Sequence, residues 1–366
     1  MSLLGYIKKF DIWLFLAALA LVGFGLSAIF SVSLARNDFS NFEKQIVFLF
    51  IGILLMTAIG FFDYRILKNN SYLILFLYMV CIILLAGLYF LAPEIKGAAR
   101  WYKIGFLSIN PTEPAKFILI ILLAKYFSKR HTEMYSFRHI IFSGLYLLPL
   151  MLLVFIQPDL GSAIVLFLIW LGMLIVSGIK IKHFLIITLC CILVFGLAWN
   201  FLLHDYQKQR ITSFLFPYDY YGAAWSQNQT RISIGSGGII GEGLFDASQV
   251  KYGFLPEPHT DFIFSVLAHE LGLVGVTIIF IVYALLIWRI LSIGVTSQSN
   301  FPRLFAYGFA MYLMIQFFMN IGMNAVILPV VGIALPFISY GGGGLIFNFI
   351  GLGILQSIRV RKGILT

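Results

Sequence analysis

The sequence predicts an all-α integral membrane protein with about ten transmembrane helices, on the basis of composition, run length and charge distribution. The 366-residue chain is 61% hydrophobic and 11% charged, with a mean hydropathy of +0.97. Soluble domains carry roughly 25% charged residues, so a soluble fold is excluded. The apolar residues form runs of about the 20 residues that a helix needs to cross a bilayer. The basic residues are concentrated in short connections between these runs.

Ten apolar runs follow one another along the chain. The first run is too long for the apolar part of a secretory signal, and no A-x-A cleavage pattern follows it, so it is predicted to be the first span. No repeat of fixed period is visible, and a single membrane domain is expected over residues 1–366. The runs cover residues 12–34, 45–62, 71–92, 112–128, 139–156, 160–178, 183–203, 260–288, 303–323 and 345–358.

The distribution of Lys and Arg predicts the orientation. On this arrangement alternate connections hold most of the basic residues, and the positive-inside rule places that side in the cytoplasm together with both termini. Of the 15 acidic residues, only Asp11, Asp63 and Glu133 fall clearly on the same side, which favours an outward-facing site. The net charge of +10 does not indicate nucleic-acid binding, because the basic residues are scattered and not interleaved with aromatic residues.

One long connection, residues 204–258, is predicted to be an outer loop. It is rich in Gly, Gln, Ser, Asn and Tyr, and loops of this length are usually functional or disordered. Within it, "RISIGSGGIIGEGL" at residues 231–244 holds five glycines and is not expected to be a plain helix. A second stretch rich in Gly and Pro, residues 328–344, precedes the last run. Irregular backbone at membrane depth is tolerated only where protein buries it or a wet cavity adjoins it, so one outer cavity next to both stretches is expected.

Ionisable residues at membrane level are costly and mark candidate functional sites. Glu113 and Lys116 are three apart on one face of a helix start and can pair; the alternative is an ion pair that only fixes helix packing. Asp159, in "QPDLGSA", is a candidate site residue or the N-cap of the following helix. Arg100, in "GAARW", is a candidate or a side chain that only reaches the interface.

Asp261 is the most informative acidic residue, because it opens an apolar run directly after the long polar connection. Burial there would raise the pKa of its carboxyl group and make it a usable base. The alternative is that Thr260 or Asp261 is a plain N-cap. His259 and His269 do not have the H-E-x-x-H spacing of a zinc helix, so a zinc hydrolase is not expected.

Five motifs along the chain resemble those of the SEDS family of bacterial cell-wall proteins, whose members include RodA, FtsW and SpoVE. The resemblance covers nearly the whole chain and, with the short amino-terminal tail, is strongest to RodA. It implies a ten-span protein of the cytoplasmic membrane. The motifs are "GAARWYKIG…INPTEPAK", "QPDLGSA", "RISIGSGGIIGEG", "EPHTDFIFSVLAHELGLVG" and "NIGMNAVILPVVGIALPFISYGGGG".

The resemblance assigns site residues position by position. The aspartate of the H-T-D-F motif, the family's essential carboxylate, corresponds to Asp261, and the Glu and Lys of its P-S-E-x-A-K motif correspond to Glu113 and Lys116. The G-A-x-R-W arginine corresponds to Arg100 and the Q-P-D-L-G aspartate to Asp159.

This sequence departs from the family pattern at some positions. Glu242 stands where the glycine-rich loop commonly carries Lys or Arg, so the pattern does not predict a phosphate-binding residue at that position. In the last motif, Ala334 replaces a proline and Gly343 replaces a serine, which suggests a looser loop.

The resemblance implies a glycosyltransferase that polymerises lipid II into peptidoglycan glycan strands. It also implies that this protein acts together with a class B penicillin-binding protein within the elongation or division machinery. The penicillin-binding protein is the transpeptidase. A sugar hydroxyl must attack an anomeric carbon whose leaving group is a lipid-linked pyrophosphate. We expect Asp261 to act as general base and Arg210 and Arg231, with Arg100 and Lys116 behind them, to stabilise the pyrophosphate.

Two questions stay open at the level of sequence. A divalent cation, Mg²⁺ or Mn²⁺, can share the pyrophosphate charge, although the sequence contains no self-contained metal motif. A flippase for the lipid-linked precursor is the alternative activity, and a noncatalytic scaffold for the penicillin-binding protein is another. The absence of an inverted repeat and the gathering of polar residues on the outer side favour the polymerase.

Overall fold

The computed structural model is a bundle of helices with one short β-hairpin. It describes residues 6, 9–91, 101–104, 107–130, 137–201, 203, 205–216, 225–245 and 248–362. The first helices are α1 (Ile12–Arg36), α2 (Ser40–Phe61), α3 (Arg65–Asn69), α4 (Ser71–Leu91), α5 (Thr112–Arg130), α6 (Phe137–Ile156) and α7 (Leu160–Val176). They are followed by α8 (Ile181–Phe201), α9 (Asp205–Leu215), α10 (Trp225–Ser236), α11 (Ser248–Lys251), α12 (Ile263–Val295), α13 (Asn300–Asn324) and α14 (Gly342–Val360). Strands β1 (Tyr102–Ile104) and β2 (Leu107–Ile109) pair antiparallel, with Tyr102 opposite Ile109.

The predicted fold class is confirmed. Within the described residues, eight helices are long and apolar enough to cross a membrane: α1, α2, α4, α6, α8, α12, α13 and α14. Helix α7 is apolar but only 17 residues long, and α5 carries Glu113 together with four basic residues. The count of ten spans therefore stays a prediction, with α5 and α7 as the two helices that would complete it.

Helices α5 and α8 show how burial follows from sequence. Fourteen of the 19 residues of α5 are buried, because the helix packs against α4, α6, α7, α13 and α14. The buried stretch from Ala115 to Phe127 is apolar on nearly all sides, as expected in such a position, and it carries Lys116 and Lys125 into the bundle. Helix α8 is more apolar than α5, yet Ile187 is its only buried residue, so its surface suits contact with lipid tails.

Helix α12 is broken at Gly272, whose φ of +62° and ψ of −163° lie outside the helical region. The backbone groups freed by the break bond to the preceding glycine-rich turn. The Leu273 and Val274 amides donate to the carbonyls of Gly238 and Ile239, both at 3.0 Å. A Cβ at Gly272 would lie 2.3 Å from the Gly241 nitrogen, so only glycine fits at this contact.

One expectation about the long connection needs correction. It was predicted to be a loop, but its described part contains the helices α9, α10 and α11. The stretch 231–244 is not a plain helix, as predicted: residues 231–236 end α10, and residues 237–244 are non-helical. The glycines are concentrated in the non-helical part, and α10 packs on α12 and α13, so tertiary contacts support a helix that composition did not indicate.

Candidate active site

A cavity of about 740 Å³ lies where the amino-terminal ends of α5, α7, α12 and α14 meet. Helix α13, helix α9 and the glycine-rich segment before α14 complete its wall. The volume is in the range of pockets that bind small molecules. The cavity brings together five of the seven predicted site residues: Asp261, Glu113, Lys116, Asp159 and Arg210.

The backbone at Asp261 is held by two buried amides of α13. The side chains of Asn320 and Asn324 both donate to the Asp261 carbonyl, at 3.1 and 2.9 Å. Helix α12 begins at Ile263 with Phe262 in the N-cap position, so the interpretation of Asp261 or Thr260 as a plain N-cap is wrong. Asp261 lines the cavity.

The glycine-rich segment before α14 approaches the Asp261 carboxylate directly. Gly332 has a φ of +71°, and a Cβ added there would lie 3.4 Å from Oδ2 of Asp261. The same segment is tied to the residues before Asp261: the Ser339 hydroxyl donates to the Thr260 carbonyl at 2.7 Å, and the Tyr340 amide donates to the His259 carbonyl at 2.8 Å. These bonds fix the distance between the segment and the carboxylate.

Glu113 and Lys116 pair as their spacing predicted, with 2.7 Å between Lys116 Nζ and Glu113 Oε1. The pair is largely buried, and the Tyr312 hydroxyl lies 3.4 Å from the other carboxylate oxygen of Glu113. The Tyr312 hydroxyl also lies 3.1 Å from Asn348 Oδ1. Because a hydroxyl has one proton, it can donate to Glu113 or to Asn348 but not to both at once. The ammonium group of Lys116 is thus a positioned cation at the cavity wall.

A stripe of polar residues on α13 was missed by the sequence reasoning. Tyr312, Gln316, Asn320 and Asn324 recur every four residues and are all buried. Residues four apart lie on one helix face, and polar residues at this spacing in an apolar helix are the signal that could have indicated the site. The stripe runs from the Glu113 pair to the Asp261 carbonyl.

Asp159 and Arg210 both line the cavity. The Asp159 carboxylate accepts from the Ser162 amide at 3.2 Å, so it does cap α7, and it also lines the cavity. Arg210 Nη1 lies 3.4 Å from the Val330 carbonyl, next to the glycine-rich segment.

The two remaining predicted residues are not placed at the cavity. Arg231 is exposed on α10 and is not among the lining residues. Arg100 lies outside the described residues. Arg210 is therefore the better placed of the two arginines predicted from the long connection.

His259 and His269 do not form part of a metal-binding cluster among the described residues. Burial, and next the charge of Arg36, lower the pKa of His259, an effect that Glu257 and Asp38 partly oppose, so the imidazole is neutral at neutral pH. His269 lies 3.3 Å from a carboxylate oxygen of Glu242, and neither residue lines the cavity. Among the described residues, no three His, Cys, Asp or Glu side chains cluster closely enough to hold a metal by themselves.

Comparison with known proteins identifies the family. A model of the FtsW, RodA and SpoVE family, described as "Cell cycle protein", matches residues 9–363. The chain belongs to this family. Peptidoglycan glycosyltransferase MrdB of Escherichia coli K12 is 37% identical over 357 residues, which cover 97% of this chain and 95% of that protein.

Solved structures of the FtsW, RodA and SpoVE family share the fold. One solved structure is that of a peptidoglycan synthase complex that coordinates polymerization and crosslinking. It contains a chain that is 30% identical to this one, with a TM-score of 0.82. The match covers 97% of this chain and 99% of that chain. The rod shape determining protein RodA of Thermus thermophilus is 28% identical, with a TM-score of 0.71 and coverage of 97% and 98%. The predicted relationship to the family is thus confirmed.

Proposed function

We propose that this protein is a peptidoglycan glycosyltransferase that polymerises lipid II at the outer face of the bacterial cytoplasmic membrane. The observation that carries the proposal is that Asp261, Lys116 and Arg210 line the same cavity. Membership of a family with relatives named peptidoglycan glycosyltransferase supports the reaction class. Glycosyl transfer from a lipid diphosphate needs a base for the attacking hydroxyl and positive charge for the leaving diphosphate, and this cavity contains residue types suited to both roles.

The reaction joins the anomeric carbon of a donor sugar to a hydroxyl oxygen of an acceptor sugar. Asp261 accepts the proton of the attacking hydroxyl, a role that contributes about 10²–10⁴ in rate. The bond from the anomeric carbon to the diphosphate oxygen breaks, and negative charge develops on the leaving diphosphate. Lys116 and Arg210 stabilise that charge, and fixed cations do so without reorganisation at the moment of reaction.

The predicted divalent cation stays a prediction. Mg²⁺ is commonly held by one or two carboxylates together with substrate phosphates, so the absence of a three-residue cluster in the described chain is compatible with it. Asp159, which lines the same cavity as Asp261, is the carboxylate that would hold such an ion together with the substrate diphosphate. Bound there, it would add positive charge beside the diphosphate.

The outward orientation rests on the helix ends. The cavity lies at the end of the bundle where α12 and α14 begin, and the opposite ends of these helices carry Arg289, Arg359 and Arg361. The positive-inside rule assigns that basic end to the cytoplasm. Lipid II then enters sideways from the outer leaflet, because moving its isoprenoid tail into water costs roughly 0.8 kcal/mol for each exposed CH₂. An apolar groove leading to Asp261 is therefore expected.

A class B penicillin-binding protein is the proposed partner. The solved relative that forms a peptidoglycan synthase complex supports a partner that crosslinks the strands. Glycan strands leave the cavity on the outer side, where a transpeptidase crosslinks them within the elongation or division machinery. The two enzymes then act in sequence on one product.

Two arginine variants test where the diphosphate binds. Arg210→Gln removes a cation from the cavity wall and is expected to lower polymerisation of lipid II by about 100- to 1,000-fold, the usual scale for loss of one stabilising group. Arg231→Gln removes the same charge from an exposed position and should leave the rate unchanged. The measurement is glycan length and amount after reconstitution with purified lipid II. Equal losses in both variants would refute the assignment of Arg210.

A glycine variant tests the contact at Asp261. Gly332→Ala forces a side chain onto a backbone with φ +71° and crowds the carboxylate, so polymerisation is expected to fall by on the order of 10-fold. Gly178→Ala is the matched control, because Gly178 has φ +88° and open space around its Cβ position. Both variants carry similar backbone strain of about 1 kcal/mol, measured by thermal unfolding. Similar rates in the two variants would show that the contact does not matter.

A further inference from the structure

A second cavity lies at the end of the bundle opposite Asp261. Its volume is about 420 Å³, and it opens between α3, the connection from α12 to α13, and the end of α14. Five basic residues line it: Arg65, Lys68, Arg359, Arg361 and Lys362. No lining residue in the described part of the chain is acidic. Helix α3 and the carboxyl-terminal end of α14, which are far apart in sequence, thus bring their positive charges to one cavity.

The nearby carboxylates do not neutralise this charge. Asp11 is engaged by the guanidinium of Arg289 at 2.5 and 3.2 Å, and Arg359 lies 3.9 Å from it. Asp63 lies 3.6 Å from Arg361. Two carboxylates near six basic side chains leave a net positive field, and an enclosed field of one sign attracts anions.

Arg361 gives the cavity a fixed cation. Its Nη1 donates to the Gly60 carbonyl at 3.2 Å and to the Ser357 hydroxyl at 2.8 Å, and its side chain is 11% exposed. Its Nη2 donates to the Phe61 carbonyl at 2.5 Å, so Arg361 contributes a fixed positive charge to the cavity more than free hydrogen-bond donors. Lys68 and Lys362 are exposed at the rim, where they are positioned to meet an approaching anion.

Three exposed apolar side chains are close in sequence to the lining residues Tyr64 and Arg65. Phe61, Phe62 and Ile66, which precede and begin α3, are 45%, 67% and 49% exposed. Large apolar side chains next to a basic pocket at the end of a span suit contact with acyl chains below a charged headgroup. Basic pockets between transmembrane helices on the cytoplasmic side are known to bind anionic headgroups.

We propose that this cavity binds the phosphate headgroup of an anionic phospholipid of the cytoplasmic leaflet. The site lies away from Asp261 and does not depend on the proposed reaction. Free phosphate shares the same chemistry, and the exposed apolar residues favour the lipid. The positive-inside rule explains why basic residues occur at this end of the bundle. It does not explain why basic residues from separate parts of the chain line one cavity.

The test is a titration of the purified full-length protein in neutral detergent with phosphatidylglycerol, with bound lipid counted by native mass spectrometry. Lys68→Gln/Lys362→Gln is expected to weaken phosphatidylglycerol binding by about 30-fold, because two basic residues are lost at the headgroup. Lys180→Gln/Lys182→Gln removes the same charge from the end of the α7–α8 connection and the first turn of α8, which do not line the cavity, and should leave binding unchanged. Lys68→Arg/Lys362→Arg keeps the charge and should keep binding, which separates charge from folding.

A second arm identifies the source of the phosphate. Inorganic phosphate at millimolar concentration should not displace phosphatidylglycerol, and phosphatidylcholine should bind no more tightly to the wild type than to Lys68→Gln/Lys362→Gln. Equal weakening by the two glutamine pairs would overturn the proposal in favour of a general surface charge. Displacement by inorganic phosphate would overturn the lipid assignment in favour of a soluble anion.

Discussion

Asp261→Asn is expected to lower polymerisation of lipid II by at least about 100-fold while the protein still inserts and folds. Asparagine matches aspartate in size but cannot accept a proton at neutral pH. The two amide bonds that hold this position are made to the backbone carbonyl of Asp261, from Asn320 and Asn324, so they survive the change. The loss should therefore be in the chemical step.

The matched control is Asp38→Asn. Asp38 is exposed between α1 and α2 and does not line the cavity, so the same chemical change there should leave polymerisation intact. Glycan product is measured on gels with both variants at equal protein concentration, and thermal unfolding is measured in parallel. Near wild-type polymerisation by a folded Asp261→Asn would remove Asp261 from the mechanism.

The double variant Glu113→Gln/Lys116→Met is expected to fold and to lose polymerisation, by about 100-fold or more if Lys116 stabilises the leaving diphosphate. Replacing both members of a buried ion pair by neutral groups is often neutral for stability, whereas losing one partner costs about 3–5 kcal/mol. Glu113→Gln alone is therefore expected to be less stable than the double variant. Thermal unfolding and polymerisation assays on the same preparations separate the two effects.

Asp11 and Arg289 provide the matched pair. They form a buried ion pair at the opposite end of the bundle, away from the cavity around Asp261. Asp11→Asn/Arg289→Met should retain polymerisation if loss of an ion pair is harmless by itself. Full activity in a folded Glu113→Gln/Lys116→Met would show that this pair serves packing only.

The sequence was sufficient for features that depend on local spacing. Apolar runs of membrane length predicted the helices, and a separation of three residues predicted the contact of Glu113 with Lys116. Asp159 caps α7 as its position suggested, and it also lines the cavity, because a residue at a helix start can cap the helix and still face a cavity; its role in the site stays a prediction.

Features that depend on tertiary packing were not predictable. Arg210 and Arg231 look equivalent in the sequence, and only the packing of α9 beside Val330 places Arg210 at the cavity. The approach of Gly332 to Asp261 joins residues 71 positions apart, which no local pattern encodes. The polar residues of α13 are visible in the sequence at every fourth position. That Asn320 and Asn324 donate to the Asp261 carbonyl could not be predicted from this spacing.

The most direct measurement is a cryo-EM structure of Asp261→Asn with lipid II bound in a lipid nanodisc. The proposed mechanism predicts a sugar hydroxyl within about 3 Å of the side chain at position 261. It also predicts the diphosphate beside Lys116 and Arg210, with the isoprenoid tail leaving sideways into the outer leaflet. Lipid II bound outside this cavity, or with its diphosphate at the basic end of the bundle, would contradict the proposed mechanism.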